Sequence, residues 1–436
     1  MVTVEYGSGI IPTHFPHMNK PKRLRLNNGS FGACPTEVLE EAERRRREWL
    51  ACPDSEWVLG GLREALVAGR EAAAREVAQC RPEDLVLVDN LTVASTMVAD
   101  WLVTDCLAAR SQGVSGPFAV LTTSVTYAAV RLALQAAADK LEKAGVSLVL
   151  EAVEVPFPIN EEAEVTTAYA AKLSEVQGRY PPACRRLACL DHISSLPALL
   201  LPAAALTQAC RAAGFRRVFV DGAHAPGQVP GLDVPAIGAD MYAGNLHKWL
   251  FAPTAVAMVY ATEEMRCELH HPIISHNYAS TPNTESLLDE AVMLGTRDYA
   301  PLMAVPAAVR FWRRVGGGGV LEVRNRDLAL RAGRMLAAAW GTTLGTPESM
   351  VTSMCMVALP EVLGTTLEDG IRLRLQLLTG TRHLQAASHG AYDRAALQYF
   401  VPAGGKLWFR LSAGIYNELR EFEVMRDTVL SMVKEA

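Results

Sequence analysis

The sequence predicts an α/β fold in which helices flank a mostly parallel central sheet and a smaller α+β domain follows. Three patterns support this fold: short unbroken apolar runs, amphipathic stretches between them, and mixed helix and strand patterns later in the chain. Unbroken apolar runs are typical of strands buried on both faces, and their alternation with helices favours a parallel sheet. The strand candidates are residues 85–88, 118–121, 147–150, 187–190, 218–220 and 255–259.

The helices and domains follow from the same patterns. Residues 128–141 and 203–213 are amphipathic and lie between strand candidates, which predicts two helices beside the sheet. Four glycines at 316–319 end one helix, and the next begins near Val320 and runs towards Trp340. We predict an irregular, proline-containing arm over residues 1–25, a large domain over 26–295 and a small α+β domain over 296–436.

Composition limits the classes of partner. The chain has 436 residues, 50% of them hydrophobic and 20% charged, which is enough to bury a large core. Its 42 basic and 47 acidic residues give a formal net charge of −5, which argues against nucleic acid as a partner. The spacing of His270, His271 and His276 matches no standard ligand set, so no metal site is predicted.

Neither a membrane span nor a disulfide framework is expected. No apolar run approaches the roughly 20 residues of a membrane helix, and the first residues lack the pattern of a secretion signal. Nine cysteines, an odd number without a Cys-x-x-Cys pair, fit a reduced setting better than a set of disulfides. We expect a cytoplasmic protein with no membrane partner.

An aspartate and a lysine form the most informative pair, because one cofactor needs both. Asp221 follows the apolar run 218–220, and Lys248 lies 27 residues later beside the apolar Trp249. Pyridoxal 5′-phosphate (PLP) needs an amine that bonds its aldehyde and a carboxylate that keeps its ring nitrogen protonated. Alone, Asp221 could cap a turn and Lys248 could lie on the surface. Together they predict a PLP site with a strand-end acid and a loop lysine, whose pKa burial would lower.

Donors for a phosphate group follow the first predicted strand. Apolar residues recur after Asn90 and Thr92 at a helical spacing, so a helix begins there. A helix N-terminus offers free N–H groups and a favourable dipole to an anion. Asn245 and His247, on either side of Leu246, could add donors. The alternative is that Asn90 or Thr92 is an ordinary helix cap.

Three further polar side chains lie where a ligand is expected. Tyr127 and Ser195 follow predicted strands, and ligands bind at the carboxyl ends of parallel strands. Tyr127 could lie over the cofactor ring or in the core, and Ser195 could bind the cofactor or form a turn. Arg410 stands inside an apolar run, where it could bind a substrate carboxylate or form a structural salt bridge.

At these residues the chain resembles the fold-type-I PLP enzymes of the class V aminotransferase group, from Leu26 to about Glu423. Within that group it is most similar to the isopenicillin N epimerases and related carbon–sulfur lyases. The motifs that carry the resemblance are residues 26–32 (LNNGSFG), 245–249 (NLHKW) and 273–276 (IISH). The resemblance implies PLP fold type I and a homodimer with active sites at the subunit interface.

The resemblance also implies a role for each candidate. Lys248 would bond the cofactor aldehyde, Asp221 would face the ring nitrogen, and Arg410 would bind the substrate carboxylate. His224 stands where a glutamine near the cofactor's phenolic oxygen is usual in desulfurases, and Tyr127 stands where a residue stacks on the ring. The remaining positions are Thr92, Val93, Asn245 and His247 at the phosphate, Thr296 at the phosphate of the neighbouring subunit, and Asn27 close to the substrate.

One departure from the group narrows the reaction. Cysteine desulfurases carry a nucleophilic cysteine shortly before the arginine, whereas the last cysteine here is Cys355. We therefore predict a PLP-dependent carbon–sulfur β-lyase that releases pyruvate, ammonia and a sulfur product from cysteine or an S-substituted cysteine, with the sulfoxides of ergothioneine-type biosynthesis among the candidates. Epimerisation, with Tyr127 or His224 as a second acid, is the alternative. An inactive scaffold is disfavoured because Lys248 and Asp221 are both present.

Overall fold

A seven-stranded sheet forms the centre of the computed structural model, which describes residues 6–18, 25–181, 184–379 and 400–435. The strand order is β1-β7-β6-β5-β4-β2-β3, and the pairs β2–β3, β2–β4, β4–β5 and β5–β6 are parallel. Only β7 runs against its neighbours. The strands are β1 Leu85–Val88, β2 Phe118–Thr123, β3 Leu148–Val153, β4 Arg186–Asp191, β5 Arg217–Asp221, β6 Met241–Asn245 and β7 Ala257–Ala261.

The predicted α/β class is confirmed, and each of the six predicted strands coincides with a strand of this sheet. The sequence missed β6, because Tyr242, Gly244 and Asn245 interrupt its apolar pattern. Its burial comes from its two neighbours, β5 and β7, which cover both hydrogen-bonding edges. This strand leads directly to the predicted lysine, so its position decides where that side chain lies.

Helices cover both faces of the sheet, as expected for strands that are buried on both sides. The predicted helices at 128–141 and 203–213 match α6 and α8 within two residues. The helices are α1 Ile10–His14, α2 Asn28–Phe31, α3 Thr36–Ala51, α4 Leu62–Ala73, α5 Leu91–Ser111, α6 Ala128–Lys143, α7 Ala163–Arg179, α8 Ala203–Ala212, α9 Leu246–Trp249, α10 Glu263–Arg266, α11 Ser286–Val292, α12 Ala300–Met303, α13 Val305–Arg314, α14 Val320–Trp340, α15 Leu367–Thr379 and α16 Leu419–Glu435.

Helix α5 is more apolar than the sequence analysis expected. Among the described residues, it alone is long and apolar enough, by length and composition, to cross a membrane. Its apolar residues, including Met97, Trp101 and Leu102, are buried in the same core as β1 and β2. A helix buried on most sides in a protein core has the same composition as a membrane span, so this similarity is weak evidence for a membrane.

A second apolar core surrounds a small antiparallel sheet of order β8-β10-β9, with β8 Met354–Ala358, β9 Phe400–Ala403 and β10 Lys406–Ser412. Helices α14 and α15 pack on this sheet and α16 packs on α14, which matches the α+β pattern expected for the small domain. Helix α13, however, is buried in the core of the large sheet. The division at residue 296 stays a prediction.

The arm that was predicted to be irregular contains helical turns where the structure describes it, over residues 6–18. Phe15 is fully buried there, and its ring contacts Phe251, Phe311 and Tyr416. Burial of one aromatic ring among three others fixes the turns in spite of the nearby prolines. The arm is therefore attached to the segment that follows Lys248.

Candidate active site

A cavity opens at the carboxyl ends of β2, β4, β5 and β6, where parallel strands bring their last residues to one edge of the sheet. Helix α5 begins at the same edge, and helix α2 covers part of the opening. Asn90, Asp191 and residues 29–31 contribute to the wall. Eight of the predicted site residues line this cavity: Thr92, Tyr127, Ser195, Asp221, His224, Asn245, His247 and Lys248.

Lys248 lies in the one-turn helix α9, not in the loop that the sequence suggested. The helix follows β6 directly, and Leu246 and Trp249 anchor it in the core. Desolvation by the surrounding protein lowers the pKa of Lys248 to about 8, and nearby Arg410 acts in the same direction, while Asp221 opposes the shift. A large fraction of the amine is therefore uncharged slightly above neutral pH, which suits a nucleophile.

His224 contacts the lysine, with 3.0 Å between His224 Nε2 and Lys248 Nζ. Burial, reinforced by the charge of Lys248, lowers the pKa of His224 well below its usual value, so the ring is neutral. Trp249 Nε1 donates to His224 Nδ1 over 3.5 Å. That donor leaves the ring proton on Nε2, where it is aimed at the lysine nitrogen and favours the uncharged amine.

Asp221 ends β5 and is 5% exposed. Its Oδ1 accepts a hydrogen bond of 2.9 Å from the N–H group of Ala223. Burial raises the pKa of Asp221 to about 6, whereas the Ala223 hydrogen bond and the charge of Lys248 hold it down. The group is thus an anion at neutral pH, placed to attract a proton on a neighbouring cation.

A second buried carboxyl group, Asp191, lines the cavity and was missed by the sequence analysis. It ends β4 as Asp221 ends β5, and the two residues are direct partners in the parallel register. Burial, followed by the charge of Asp221, raises the pKa of Asp191 to about 7. Asp191 ends the apolar run 187–190, and the same pattern identified Asp221. The sequence analysis selected Ser195, in the next turn, instead of Asp191.

The start of helix α5 is tied to the segment that carries the lysine. Asn245 Oδ1 accepts a hydrogen bond of 3.0 Å from the Leu91 N–H group, and Asn90 caps the Val93 N–H group at 3.1 Å. Thr92 is exposed at the cavity wall between them. A helix N-terminus held in this position offers a dipole and donors to an anion.

Arg410 is fully buried beside the cavity, in the central strand of the small sheet. Its Nη1 donates to the Ser195 carbonyl oxygen at 2.8 Å, and its Nη2 donates to Asn27 Oδ1 at 2.8 Å and to Ser30 Oγ at 2.9 Å. The Asn27 side-chain NH₂ group is buried and has no acceptor among the described residues. Buried donors of this kind are normally satisfied, so a ligand oxygen fits beside the arginine.

Four predicted residues are not part of the cavity wall of the described chain: Asn27, Val93, Thr296 and Arg410. The Val93 N–H group is used by the Asn90 cap, and Thr296 is exposed on the surface. Tyr127 does reach the cavity and is 40% exposed, so its ring is open to a ligand. The roles of Val93, Thr296 and Tyr127, like those of the other predicted site residues, stay predictions.

The donor set as a whole fits PLP. One cavity contains an amine with a lowered pKa, a buried carboxylate and a helix N-terminus, which suit an aldehyde, a ring nitrogen and a phosphate group. Lys248, Asp221 and the α5 start with Thr92 would hold the cofactor. Arg410, buried beside this cavity, is the guanidinium group that would bind a substrate carboxylate.

Comparison with known proteins agrees with this geometry. Residues 158–370 match the family model described as Aminotransferase class-V. A putative L-cysteine desulfhydrase 2 from Oryza sativa subsp. japonica is 36% identical over 427 residues, covering 94% of this chain and 85% of the rice protein. The isopenicillin N epimerase of Streptomyces clavuligerus is 30% identical over 433 residues, covering 95% and 96% of the two chains.

Solved structures share the fold at low sequence identity. A cysteine desulfurase from Thermococcus onnurineus NA1 superimposes with a TM-score of 0.74 at 17% identity, over 100% of both chains. C-DES, solved with glycine covalently linked to its PLP cofactor, has a TM-score of 0.68 at 18% identity, over 95% of this chain and 97% of its own. These matches confirm PLP fold type I, and together with the full-length relatives they show that the chain belongs to the class V aminotransferase family.

Proposed function

We propose that the chain is a PLP-dependent carbon–sulfur β-lyase that converts L-cysteine, or an S-substituted cysteine, to pyruvate, ammonia and a sulfur product. The observation that carries the proposal is the cavity shared by Asp221 and Lys248. Support for the reaction comes from relatives named L-cysteine desulfhydrases, which are 31–36% identical to this chain. The lack of a cysteine between Cys355 and Arg410 argues against a persulfide-forming desulfurase.

Arg410 and Lys248 have different roles in the proposed reaction. PLP, when bound, supplies the electron sink that makes the α-proton of an amino acid removable. Arg410 binds the substrate carboxylate through its guanidinium group, which Asn27, Ser30 and Ser195 hold in one orientation. Lys248 removes the α-proton, for which its lowered pKa suits it.

Asp221 and His224 set the charge around that proton transfer. Asp221 is the anion that would pair with the protonated ring nitrogen of PLP. The neutral His224 ring contacts the lysine nitrogen without adding a second positive charge. A general acid for the leaving sulfur is not assigned among these residues. The proposal also includes a homodimer, in which Thr296 reaches the phosphate of the neighbouring site.

Epimerisation is the second candidate, supported by the 30% identity to the isopenicillin N epimerase from Streptomyces clavuligerus. It needs an acid on the opposite face of the substrate, and Tyr127 is the exposed candidate at the cavity. The desulfhydrase relatives match at higher identity, which favours elimination over epimerisation.

A substrate panel tests the choice. Purified protein is incubated with L-cysteine, S-alkyl cysteines and a cysteine sulfoxide in deuterated water, and pyruvate, released sulfur compounds and α-deuterium are measured. Stoichiometric pyruvate and sulfur product support elimination. Inverted amino acid that contains α-deuterium, without pyruvate, would replace elimination by epimerisation.

Two variants test the cofactor itself. Lys248→Ala is expected to abolish both turnover and the visible absorption of the lysine-bound cofactor. Lys140→Ala, which removes an exposed lysine that pairs with Asp100, is the matched control and should keep both. A colourless wild-type protein that remains colourless after incubation with PLP would contradict the proposal.

A further inference from the structure

The buried carboxyl pair at the base of the cavity contains one group to which no role has been given. Asp191 and Asp221 are register partners on the parallel strands β4 and β5, and both line the cavity. Register partners on neighbouring strands point to the same face of the sheet, so the two carboxyl groups lie side by side. They are 3% and 5% exposed, so bulk solvent screens their charges only weakly.

The two carboxyl groups have different surroundings. Asp191 Oδ2 accepts hydrogen bonds from Thr123 Oγ1 at 3.1 Å and from Thr126 Oγ1 at 3.3 Å, both neutral donors. Asp221 Oδ1 accepts a backbone N–H group, and the charge of Lys248 stabilises its anion. The cation and the backbone donor both favour ionisation of Asp221.

The remaining titratable groups around Asp191 add no cation to its side of the pair. Tyr169, from α7, and Cys189, on the same strand, both interact with its charge, and burial raises the pKa of each of them, so both are neutral. Two adjacent buried carboxyl groups do not ionise together without a large cost in free energy. One proton therefore remains on the pair, and it stays on the group without the cation.

We propose that Asp191 is a positioning residue that retains this proton near neutral pH, so that Asp221 alone carries the negative charge of the pair. This inference adds a residue to the proposed function and rests on it. In that function, the negative charge of Asp221 is the one that would pair with the ring nitrogen of PLP. A neutral acid beside Asp221 leaves its negative charge undisturbed, whereas a second anion would repel that charge and raise the pKa of Asp221.

The apoprotein gives a test that does not depend on the cofactor. The pKa of Asp191 is raised in the folded state from 3.8 to about 7, so the folded protein holds a proton that the unfolded chain has lost between these values. The resulting stability is present at low pH and is lost as the pH rises through about 7. Buried histidines such as His224 contribute the opposite slope in this range, so the test is the difference between two proteins. Between pH 5 and pH 7 we expect the unfolding free energy of Asp191→Asn to change with pH more positively than that of wild type, by about one proton.

An equal slope in wild type and Asp191→Asn would overturn the proposal. Infrared spectra give an independent readout near pH 7, where Asp221, with a pKa of about 6, is mostly ionised. The carbonyl band of a buried protonated carboxyl group should disappear in Asp191→Asn and remain in Asp221→Asn. Loss of the band in Asp221→Asn alone would assign the proton to the other carboxyl group and would contradict the proposal.

Measurements of PLP affinity distinguish a failure of this inference from a failure of the proposed function. Asn is a neutral isostere of a protonated Asp, so Asp191→Asn should bind PLP within about threefold of wild type, while Asp221→Asn should bind it at least tenfold more weakly. A tenfold loss of PLP affinity in Asp191→Asn would show that its negative charge is needed and would overturn the proposal. If wild type binds no PLP while the slope and infrared results are as expected, the proposed function fails and the protonation of Asp191 stands.

Discussion

At the scale of single residues, Lys248 and Asp221 affect each other through charge. The charge of Asp221 raises the pKa of Lys248, against the larger lowering by burial. In the same way, the charge of Lys248 lowers the pKa of Asp221. The pair is therefore a coupled unit, and a change to either residue should appear in the titration of the other.

This coupling predicts the pH dependence of cofactor capture. The uncharged amine attacks the aldehyde, so the rate at which apoprotein takes up PLP should rise through about pH 8 and level off above it. Asp221→Asn removes the anion that stabilises the charged lysine, so the midpoint should move to lower pH. Stopped-flow measurement of the visible band checks both statements, and an upward shift of the midpoint would contradict the assigned coupling.

Arg410 should not tolerate lysine, although the charge is kept. The Nη1 and Nη2 atoms of its guanidinium group are held in place by Asn27, Ser30 and Ser195, and an ammonium group has neither the length nor the planar geometry to replace them. We expect Arg410→Lys to lower kcat/KM by about 100-fold, the loss of roughly 2–3 kcal/mol from a charge-assisted pair.

A comparison between two substrates checks the assigned role of Arg410. Steady-state kinetics on cysteine and on cysteamine, which lacks the carboxylate, should show the loss for cysteine only. An equal loss for both substrates would assign Arg410 a structural role. Thermal unfolding of the variant is the control for folding.

The sequence predicts a site residue where a polar side chain stands among apolar neighbours in the chain. Asp221 and Lys248 were found because an acid ends an apolar run and a lysine stands among apolar residues. The roles of Asn28 and Tyr416 were not predictable, because the amide of Asn28 bonds the Lys248 carbonyl oxygen and the Tyr416 hydroxyl donates to Asn28. These contacts exist only after the chain has folded.

At the scale of elements, the turn of four glycines between α13 and α14 is limited by space as well as by backbone angles. A Cβ atom on Gly317 would lie 2.2 Å from Trp312 Nε1. The Trp312 ring is buried, and its Nε1 donates to Glu322 at 2.8 Å, which fixes its position. The sequence predicted that the glycines end the helix, but not that one of them makes room for a ring.

The packing of this turn predicts that a Gly→Ala substitution has opposite effects on the free energy of unfolding at two positions. Gly317→Ala should lower the unfolding free energy by about 1–3 kcal/mol, because the buried Trp312 ring cannot move away. Gly178→Ala, at an open position in α7, should raise it by a few tenths to about 1 kcal/mol through helix propensity. Urea unfolding of both variants checks the signs, and equal stability of the two would contradict the packing described for the turn.

The elements that sequence missed share a physical cause. Strand β6 contains Gly244, whose Cβ would lie 2.6 Å from a Pro226 ring atom, so close packing replaced the apolar pattern that predicts a strand. The turns of the arm depend on the burial of Phe15 against distant rings. Local propensity determines neither element, whereas strands such as β5 carry their burial pattern in consecutive residues.

At the scale of the whole molecule, the predicted homodimer can be tested by mixing two inactive variants. If Thr296 reaches the site of its neighbour, a dimer of one Lys248→Ala subunit and one Thr296→Asp subunit has one site with both native residues. An equal mixture that has been unfolded and refolded together should recover about a quarter of wild-type activity, because half of the dimers are mixed and each has one intact site. No recovery from two inactive parents would contradict the predicted reach of Thr296.

The contacts that complete the cavity also determine when a newly made chain can use it. Arg410 meets Asn27 across 383 positions, and Tyr416 meets Asn28 across 388. At typical translation rates, the ribosome needs roughly 20 to 80 seconds to make that interval. Until then Asn27 and Ser30 lack Arg410, and Asn28 lacks Tyr416, although the last strand of the central sheet, Ala257–Ala261, has already been synthesised. The lysine is thus synthesised before the arginine, and a chain that stalls between them has Lys248 but not the proposed carboxylate anchor Arg410.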